Sequence, residues 1–446
     1  MRWYSLAYGL PCGSARNSVH EVTKQWLATT LIALSALGWS IPVMALDAPP
    51  PAAAAGLTLR EAITRTLAHH PDLAAFGFSL RAQDALSRQA DLRPAPTLNV
   101  ALENLAGSGD LQGVDAVEAT FSLAQVIELG GKRAARGAVA QSGRDAIMVA
   151  RQAAQLDVLA EVTRRFIHVA ADQEQIALTR TATELALQTV AVVEQRVNAA
   201  KSPAAELHRA RILLARARVE QEHAEHELLT SRRKLAAQWG ENRADFGPVT
   251  ADLYALPKPI AFAALVERLH TNPDFARFAS EARLRDAELR LAQTRRTPDV
   301  QISGGIRRLE GSDDQALVFG ISVPLFAGRH AEPAIAETQA LRERTDAERR
   351  AAEVRVEAQL FELHQELQHA ITETELLRDT VLPEMNDVLA QTRYAYERGR
   401  YGYLEWVAAQ REFIDVQRSL IEAAANAHNH RAEIERLTAL PLADTN

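Results

Sequence analysis

The feature that most constrains this chain is one uninterrupted helical run of great length. Residues Lys132 to Val197, 66 in number, contain no proline and only two glycines. A helix of that length would extend roughly 100 Å at 1.5 Å per residue, whereas an average helix in a globular protein has about a dozen residues. Its charges, which include Arg144, Asp145 and Arg151, are too many for a helix that crosses a bilayer. The run therefore predicts a rod-like helix.

A strand with one apolar face leads into this rod. Apolar and polar side chains alternate from Val117 to Ala124, which is the period of a sheet with one apolar side. A shorter alternating segment precedes it. We therefore predict strands at about 97–104 and 116–127, a strand-to-helix turn at Gly130, Gly131, Lys132 and Arg133, and a long helix at 132–197.

The whole pattern recurs after about 200 residues. His70-Pro71-Asp72 returns as Asn272-Pro273-Asp274, each inside a helical segment that precedes a pair of strands. Two copies of one unit predict a protomer with pseudo-twofold symmetry. Repeat 1 spans 57–240 and ends with a helix at 204–239, and a proline-rich connector spans 241–259. Repeat 2 spans 260–440, with strands at about 299–308 and 316–325, a long helix at 332–397 and a helix at 403–440.

The first 45 residues have the features of an export signal. An apolar run from Trp26 to Val43 follows Lys24, and small residues up to Ala45 predict cleavage there. The alternative is a signal anchor that stays in place. A linker at 46–56 follows the signal, and 441–446 forms a short tail. Residues 1–45 carry a net charge of +2 and the whole chain −7, so cleavage would leave an acidic body of −9. Cys12 is the only cysteine, which excludes a disulfide within the chain.

Apolar residues recur every seven positions along both long helices. The first long helix has such a row, and the second has two, which predicts coiled-coil packing with a left-handed supercoil. The rows are Leu178, Leu185 and Val192; Leu360, Leu367, Val381 and Val388; and Val356, Leu363, Ala370 and Leu377. Pro383 lies inside the second long helix and is expected to bend it.

Four strands per chain cannot close on themselves. An open sheet edge in lipid leaves backbone groups unpaired, at several kcal/mol for each group, and outer-membrane barrels begin at about eight strands. Two copies would supply eight strands and three would supply twelve, and the wider lumen favours three. The alternative is that the strands form edge hairpins of a soluble coiled-coil protein.

These residues together resemble the TolC-like outer-membrane factor family, over essentially the whole mature chain. Within it, the chain is most similar to the CzcC-type proteins of cobalt-zinc-cadmium efflux systems. Two departures are Val126, where the family usually has proline, and Ala200, where it often has glycine. The matching segments are Pro96-Thr97-Leu98, Glu103-Asn104, Ser122-Leu123-Ala124-Gln125, Ile127 to Arg133, Leu382-Pro383, Tyr396, Gly399, Leu404 and Gln410.

The resemblance implies a mainly α protein with a small β part. Long coiled-coil hairpins would form a periplasmic α-helical tunnel, and four strands per chain would contribute to a trimeric 12-stranded β-barrel in the outer-membrane lipid. The implied partners are two further copies, a periplasmic adaptor (membrane fusion protein) and an inner-membrane transporter of the resistance-nodulation-division (RND) type. The chain would be a passive conduit without a cofactor or a nucleic-acid partner. A multidrug or type I secretion duct, or a soluble periplasmic adaptor, remain alternatives.

Candidate functional residues lie at the hairpin tips and on the strands. The tips are expected to dock the adaptor, as tips do in the family. The alternative is that these residues serve only to form the turns. Glu103, Glu118 and Gln301 are expected to face an aqueous lumen, where the acidic charge would favour cations. The tip residues are Lys201, Ser202 and Pro203 in the first turn and Arg398, Gly399, Arg400, Tyr401 and Gly402 in the second.

Neither a metal site nor an enzyme site is predicted. The histidines lack a cysteine partner or a complete ligand set at zinc spacing, so we interpret them as solvated helix residues. A nucleophile elbow and a glycine-rich phosphate loop are also missing from the sequence. The histidines considered are His223 and His226, which lie near Glu222, together with His364, His369, His428 and His430.

Overall fold

The computed structural model describes residues 56–440, which form nine long or medium helices and one small sheet. The predicted export signal, nearly all of the 46–56 linker and the 441–446 tail lie outside this range. The mainly helical character and the small antiparallel sheet confirm the predicted class. Repeat 1 contains α1 (Leu59–His69), α2 (Pro71–Ala90), β1 (Thr97–Glu103), β2 (Glu118–Ile127), α3 (Lys132–Asn198) and α4 (Ala204–Ala236). Repeat 2 contains α5 (Phe262–Leu269), α6 (Pro273–Thr294), β3 (Val300–Leu309), β4 (Asp314–Ser322), α7 (Ala327–Leu376), α8 (Leu382–Glu397) and α9 (Tyr403–Thr438).

The repeated His/Asn-Pro-Asp motif starts a helix in both repeats. The side chain of Asn272 accepts a hydrogen bond from the backbone N–H of Asp274 at 2.7 Å, and proline occupies the first helical position. His70 caps α2 in the same way. Proline suits this position because its missing N–H would have no helical partner there. Asn272 is almost fully buried and also donates to the carbonyls of Arg436 and Leu437 at 2.8 and 2.7 Å.

The four strands form one antiparallel sheet in the order β1-β2-β3-β4. Each repeat supplies one hairpin, and the two hairpins join through β2 and β3. All four strand ends opposite the hairpin loops connect to helices. The two outer strands, β1 and β4, each keep one edge without a partner strand within residues 56–440. Among these same residues, no helix is both long and apolar enough to cross a membrane.

The helices form two four-membered layers that share α3. Its N-terminal half packs between α2 and α6, and α7 lies beyond α6. Its C-terminal half packs between α4 and α9, and the C-terminal part of α7 followed by α8 lies beyond α9. Equivalent ion pairs join the helices of the first layer in the two repeats, Arg144 to Asp84 at 3.0 Å and Arg342 to Asp286 at 2.5 Å. Each layer therefore resembles the four-stranded sheet in its arrangement, with two inner helices and two outer ones.

Three of the five apolar clusters within residues 56–440 hold most of the buried residues between these layers. Each repeat has one cluster around the connector, and a third lies where the two helical hairpins end. A fully buried side chain of this kind contributes about 1.5 to 3 kcal/mol. The first includes Leu57, Val162, Phe166, Leu235 and Trp239; the second includes Leu265, Leu269, Leu360, Leu367 and Ile434; the third includes Val193, Ala210, Tyr396, Tyr403 and Trp406.

The second long helix differs from the prediction at its centre. A π-helical turn at Leu377–Val381 separates α7 from α8, and the N–H of Leu382 donates to the carbonyl of Leu377, five residues back. This turn directly precedes Pro383, which cannot donate to the regular helical ladder. The extra residue moves the buried row by one position. Leu360, Leu367 and Thr374 are buried, and the row then continues through Leu389 and Tyr396, whereas Val388 is 43% exposed. The predicted row through Val381 and Val388 is therefore wrong below Thr374.

The junction between β4 and α7 also corrects two predicted boundaries. The strand ends at Ser322 rather than at 325, because Pro324 has no N–H for the ladder. The helix begins at Ala327 rather than at Glu332, directly after Phe326, which adopts the left-handed conformation (φ 62°). Pro333 therefore lies within the first two turns of α7 instead of near its start.

Candidate functional site: a two-faced sheet and paired hairpin tips

One face of the sheet is apolar and exposed. The strand registers place apolar side chains of all four strands on this face, in rows that cross the sheet. On the outer strand β4, Leu317, Phe319 and Ile321 are 73%, 78% and 77% exposed. A continuous exposed apolar face marks contact with a membrane or another protein. Its apolar members are Leu98, Val100, Leu102, Ala119, Phe121, Leu123, Ile302, Gly304, Ile306, Leu317, Phe319 and Ile321. Three polar residues, Gln125, Arg308 and Gln315, lie at the two ends of the same face.

The opposite face of the sheet is polar. The three residues that the sequence predicts to face water, Glu103, Glu118 and Gln301, all lie on this face. Glu103 and Glu118 are direct cross-strand partners. Arg307 on β3 joins them, with its guanidinium 3.1 Å from Glu103 Oε2 and 2.8 Å from Glu118 Oε2. The sequence pattern identified the two carboxylates and missed the arginine, because only the strand register shows that β3 lies beside β2.

The glycine-rich strand-to-helix turn lies at the junction of the two repeats. Gly130 is left-handed (φ 70°), and a Cβ atom there would lie 2.8 Å from Thr297 Cβ. Lys132 Nζ contacts Asp299 Oδ1 at 2.6 Å, and the N–H of Leu129 donates to the same oxygen at 3.1 Å. The turn is thus fixed against the end of α6 and the start of β3. Gly131 precedes α3 as its left-handed N-cap, and Arg133 is exposed.

Arg136, one turn into α3, connects the sheet to the helices through its hydrogen bonds. The sequence pattern did not indicate this role. Arg136 donates to Glu128 Oε2 at 3.0 Å, to the carbonyl of Ala90 at 3.3 Å and to the carbonyl of Leu92 at 3.2 Å. The hydrogen bond from Arg136 lowers the pKa of the Glu128 carboxyl below its ordinary value. The Arg136 guanidinium therefore joins three elements, namely the ends of α2 and β2 and the start of α3.

The two predicted tip turns share one backbone design. Ala200 (φ 55°) and Gly399 (φ 69°) are both left-handed and follow the ends of α3 and α8. In each turn the next N–H, that of Lys201 or Arg400, returns to a carbonyl five residues earlier at 2.8 Å. This is the Schellman arrangement, which satisfies carbonyls at a helix end. The turn residues predicted from the sequence thus occupy corresponding places.

Arg196 brings the two tip turns together. Its Nε donates to Ser202 Oγ at 3.1 Å in the first turn, and its Nη1 donates to the carbonyl of Tyr396 at 2.6 Å beside the second. The guanidinium also lies 4.6 Å from the centroid of the Tyr396 ring, which stacks on Trp406 at 4.8 Å. The Tyr396 hydroxyl donates to Glu206 Oε2 at 3.1 Å, and burial raises its pKa. Of this group, only Ser202 and Tyr396 were identified from the sequence pattern.

The candidate histidines have structural roles or are exposed. His364 is buried, with its Nε2 3.0 Å from the carbonyl of Ile260, and His428 Nε2 lies 3.0 Å from the carbonyl of Leu253. His428 thus contacts the connector and His364 contacts the residue directly after it, so their interpretation as solvated residues is wrong. His223, His226 and His369 are exposed. Within residues 56–440, no group of three or more His, Cys, Asp or Glu side chains could hold a metal ion.

Comparisons with known proteins match this architecture. The cobalt-zinc-cadmium resistance protein CzcC of Cupriavidus metallidurans is 25% identical over 390 residues, which cover 87% of this chain and 91% of that protein. The nickel and cobalt resistance protein CnrC of the same organism is 27% identical over 295 residues, or 65% of this chain and 67% of that protein. The outer membrane protein VceC of Vibrio cholerae shares the fold, with a TM-score of 0.68 at 18% identity over 85% of this chain and 95% of that one. The family model of outer membrane efflux proteins matches residues 62–241 and 264–440, so this chain belongs to the outer membrane efflux protein family.

Proposed function

We propose that this protein is the outer-membrane channel of a tripartite RND-type efflux system and exports heavy-metal cations such as cobalt, zinc or cadmium. The observation that carries the proposal is the four-stranded sheet, which has one apolar face, one polar face and two open edges. The family supports an exit duct, and the resistance proteins CzcC and CnrC favour metals as the cargo. The chain acts as a passive conduit and not as an enzyme, because the inner-membrane transporter drives transport and selects the cargo.

The open edges favour a homotrimer in the outer membrane. Three sheets would close a 12-stranded barrel, with the apolar face toward lipid and the polar face toward the lumen, so that every edge backbone group finds a partner. The two helical layers have the same open plan. The outermost helices are α2 and α7 in one layer, and α4 and the C-terminal part of α7 with α8 in the other. A closed ring of three copies would cover the outer members of the sheet and both layers at once. The helices would then form the periplasmic tunnel.

The paired tips are the proposed docking surface for the periplasmic adaptor. They lie at the ends of the helical hairpins farthest along the chain from the sheet, and Arg196 holds both turns in one unit. Replacing Gly399 and Gly402 with bulky residues should abolish resistance while trimers still reach the outer membrane. Unchanged export by that variant would contradict the docking role.

The cargo is tested by growth of a deletion strain. Loss of the gene should increase sensitivity to cobalt, zinc or cadmium salts, and a plasmid copy should restore resistance. Sensitivity to organic drugs with unchanged metal resistance would instead assign the protein to a multidrug duct. Fractionation of the same strain should place the protein in the outer membrane. Recovery in the soluble periplasmic fraction would contradict the channel itself.

A further inference from the structure

The charged side chains of the polar face lie only at its hairpin end. Beyond a partial row of Val126, Gln301 and Ser322 at the helix end, the register divides this face into four full rows that each contain one residue from every strand. The first two full rows are uncharged, and the last two contain all the charges. In order from the helix end, the rows are Thr97, Ala124, Ser303 and Gly320; Asn99, Ser122, Gly305 and Val318; Ala101, Thr120, Arg307 and Ala316; and Glu103, Glu118, Leu309 and Asp314.

Arg307 is the single cation in these four rows, and it is held firmly. Its two terminal nitrogens contact Glu118 and Glu103 at 2.8 and 3.1 Å, and its Nε donates to Thr120 Oγ1 at 3.0 Å. Asn104 supports the same group by donating to Glu118 Oε1 at 3.2 Å. The guanidinium thus spans three strands and lies flat against the face instead of pointing away from it.

This arrangement neutralises an unfavourable cross-strand pair. Glu103 and Glu118 are directly opposite each other, and like charges in that relation destabilise a hairpin. Arg307 offsets one of the two negative charges and fixes both carboxylates against the sheet. Together with Asp314, the two charged rows contain three carboxylates and one guanidinium. The arginine therefore decides how much negative charge this end of the face presents.

We propose that Arg307 determines the charge selectivity of the pore at the hairpin end of the sheet. The inference rests on the proposed function, in which the polar face lines the lumen. Each protomer would present a net charge of about −2 there, which attracts cations and repels anions over a Debye length of about 8 Å at physiological salt. Arg307 keeps this field moderate and prevents the two glutamates from extending into the lumen.

The test is the reversal potential of the purified channel in planar bilayers under a potassium chloride gradient. Arg307→Gln should shift the reversal potential toward stronger cation selectivity, and the shift should shrink at molar salt because of screening. The matched control is Arg308→Gln, since Arg308 lies on the opposite face and pairs with Glu310 and Asp313 in the hairpin. Equal reversal potentials for Arg307→Gln and the control would overturn the proposal.

A second variant covers the case in which Arg307→Gln does not assemble. Glu103→Gln removes one carboxylate and leaves Arg307 paired with Glu118, so it should shift the reversal potential toward anions. An unchanged reversal potential in this variant would also overturn the role of the cluster. Failure of the unmodified protein to form any conducting pore would instead contradict the proposed function, which separates the two outcomes.

Discussion

Gly131 and Phe326 occupy the same position in the two repeats, as the left-handed residue directly before a long helix. In repeat 1 the turn faces the end of α6, and Gly130 lies so close to Thr297 that a side chain there would collide. In repeat 2 the same turn follows the outer strand β4, and the Phe326 side chain is 73% exposed. The inner turn is restricted at Gly130 by its neighbours within the chain, although a Cβ atom at Gly131 would meet nothing within 4 Å. The outer turn has room for a large apolar side chain at Phe326.

The long helices show the same contrast between the repeats. α3 lies between neighbours along its whole length and is a regular helix of 67 residues. The corresponding helix of repeat 2 contains the π-helical turn at Leu377–Val381 before Pro383. The irregular backbone thus occurs in the long helix of repeat 2 and not in α3. The comparison indicates that repeat 1 supplies the regular centre of the protomer and repeat 2 one of its adaptable sides.

Deletion of one residue from each long helix should give the largest difference between the repeats. Deleting Arg180 rotates the rest of α3 by about 100°, which turns the buried Thr189 and Val193 away from their neighbours. We expect a loss of about 5 kcal/mol or more and no stable protein. Deleting Asp379 together with Pro383→Ala should convert the π turn into regular helix and change stability by about 1 kcal/mol at most. Thermal unfolding in detergent measures both, and equal losses would contradict the register shift.

Alanine at the inner strand-to-helix turn should have the next largest effect. Gly130→Ala adds a left-handed strain of about 1 to 2 kcal/mol and a contact with Thr297 that forces a further shift, so we expect a loss of about 3 kcal/mol. The comparison change is Phe326→Gly in the outer turn, at the position equivalent to Gly131. It relieves the strain of the left-handed backbone but increases the conformational freedom of the unfolded chain, so stability should change by about 1 kcal/mol or less. A larger loss from Phe326→Gly than from Gly130→Ala would reverse the comparison.

Substitution of the left-handed residue should change the stability of the protein in opposite directions in the two tip turns. Gly399→Ala should destabilise the protein by about 1 kcal/mol, since a Cβ atom is unfavourable at positive φ. Ala200→Gly should stabilise it by a few tenths to about 1 kcal/mol for the same reason. Chemical unfolding followed by tryptophan fluorescence suits this pair, because Trp406 lies beside both turns. A change of the same sign in both variants would show that the turns are not equivalent.

The smallest expected effect is a pH dependence that arises only from the repeat 2 side of the connector. On the repeat 1 side, Gln173 exchanges two hydrogen bonds with Val249 at 2.8 and 3.0 Å and does not titrate. On the repeat 2 side, burial lowers the pKa of His428 below its ordinary value of 6.5. The unfolded chain therefore binds the proton more readily, so stability should fall as the pH drops below about 6.5.

His428→Gln keeps a donor for the Leu253 carbonyl and should flatten this dependence. A residual slope should remain, because burial also lowers the pKa of His430, whereas the hydrogen bond to Asp172 raises the pKa of His168, which acts in the opposite direction. The measurement is the unfolding midpoint between pH 5 and 8. An unchanged slope in the variant would exclude His428 as the titrating group.

Patterns that depend on local chemistry could be predicted from the sequence. The alternation from Val117 to Ala124 lies within β2 except for Val117, which directly precedes it, and the prolines at positions 71 and 273 begin α2 and α6. Each of these signals is contained within a few neighbouring residues. Turn chemistry at Gly399 belongs to the same class, because glycine is the residue that readily adopts positive φ.

Features that depend on distant parts of the chain could not be predicted in this way. Arg307 lies 189 residues after Glu118, and only the pairing of β2 with β3 brings them together. Arg196 reaches Tyr396 across 200 residues, and His364 meets the residue directly after the connector across 104. The shift of the buried row after Thr374 also had no local signal, since Val381 and Val388 continued the seven-residue spacing. Side-chain identity alone does not give the phase of a helix after an inserted residue.

The central claim is that each protomer is one third of a pore wall, with both sides open until other copies cover them. The direct test is the molar mass of protein extracted from outer membranes in mild detergent, measured by light scattering with the detergent contribution removed. The account predicts three chains per particle, which separate on heating. A stable single chain that remains in solution without detergent would contradict it.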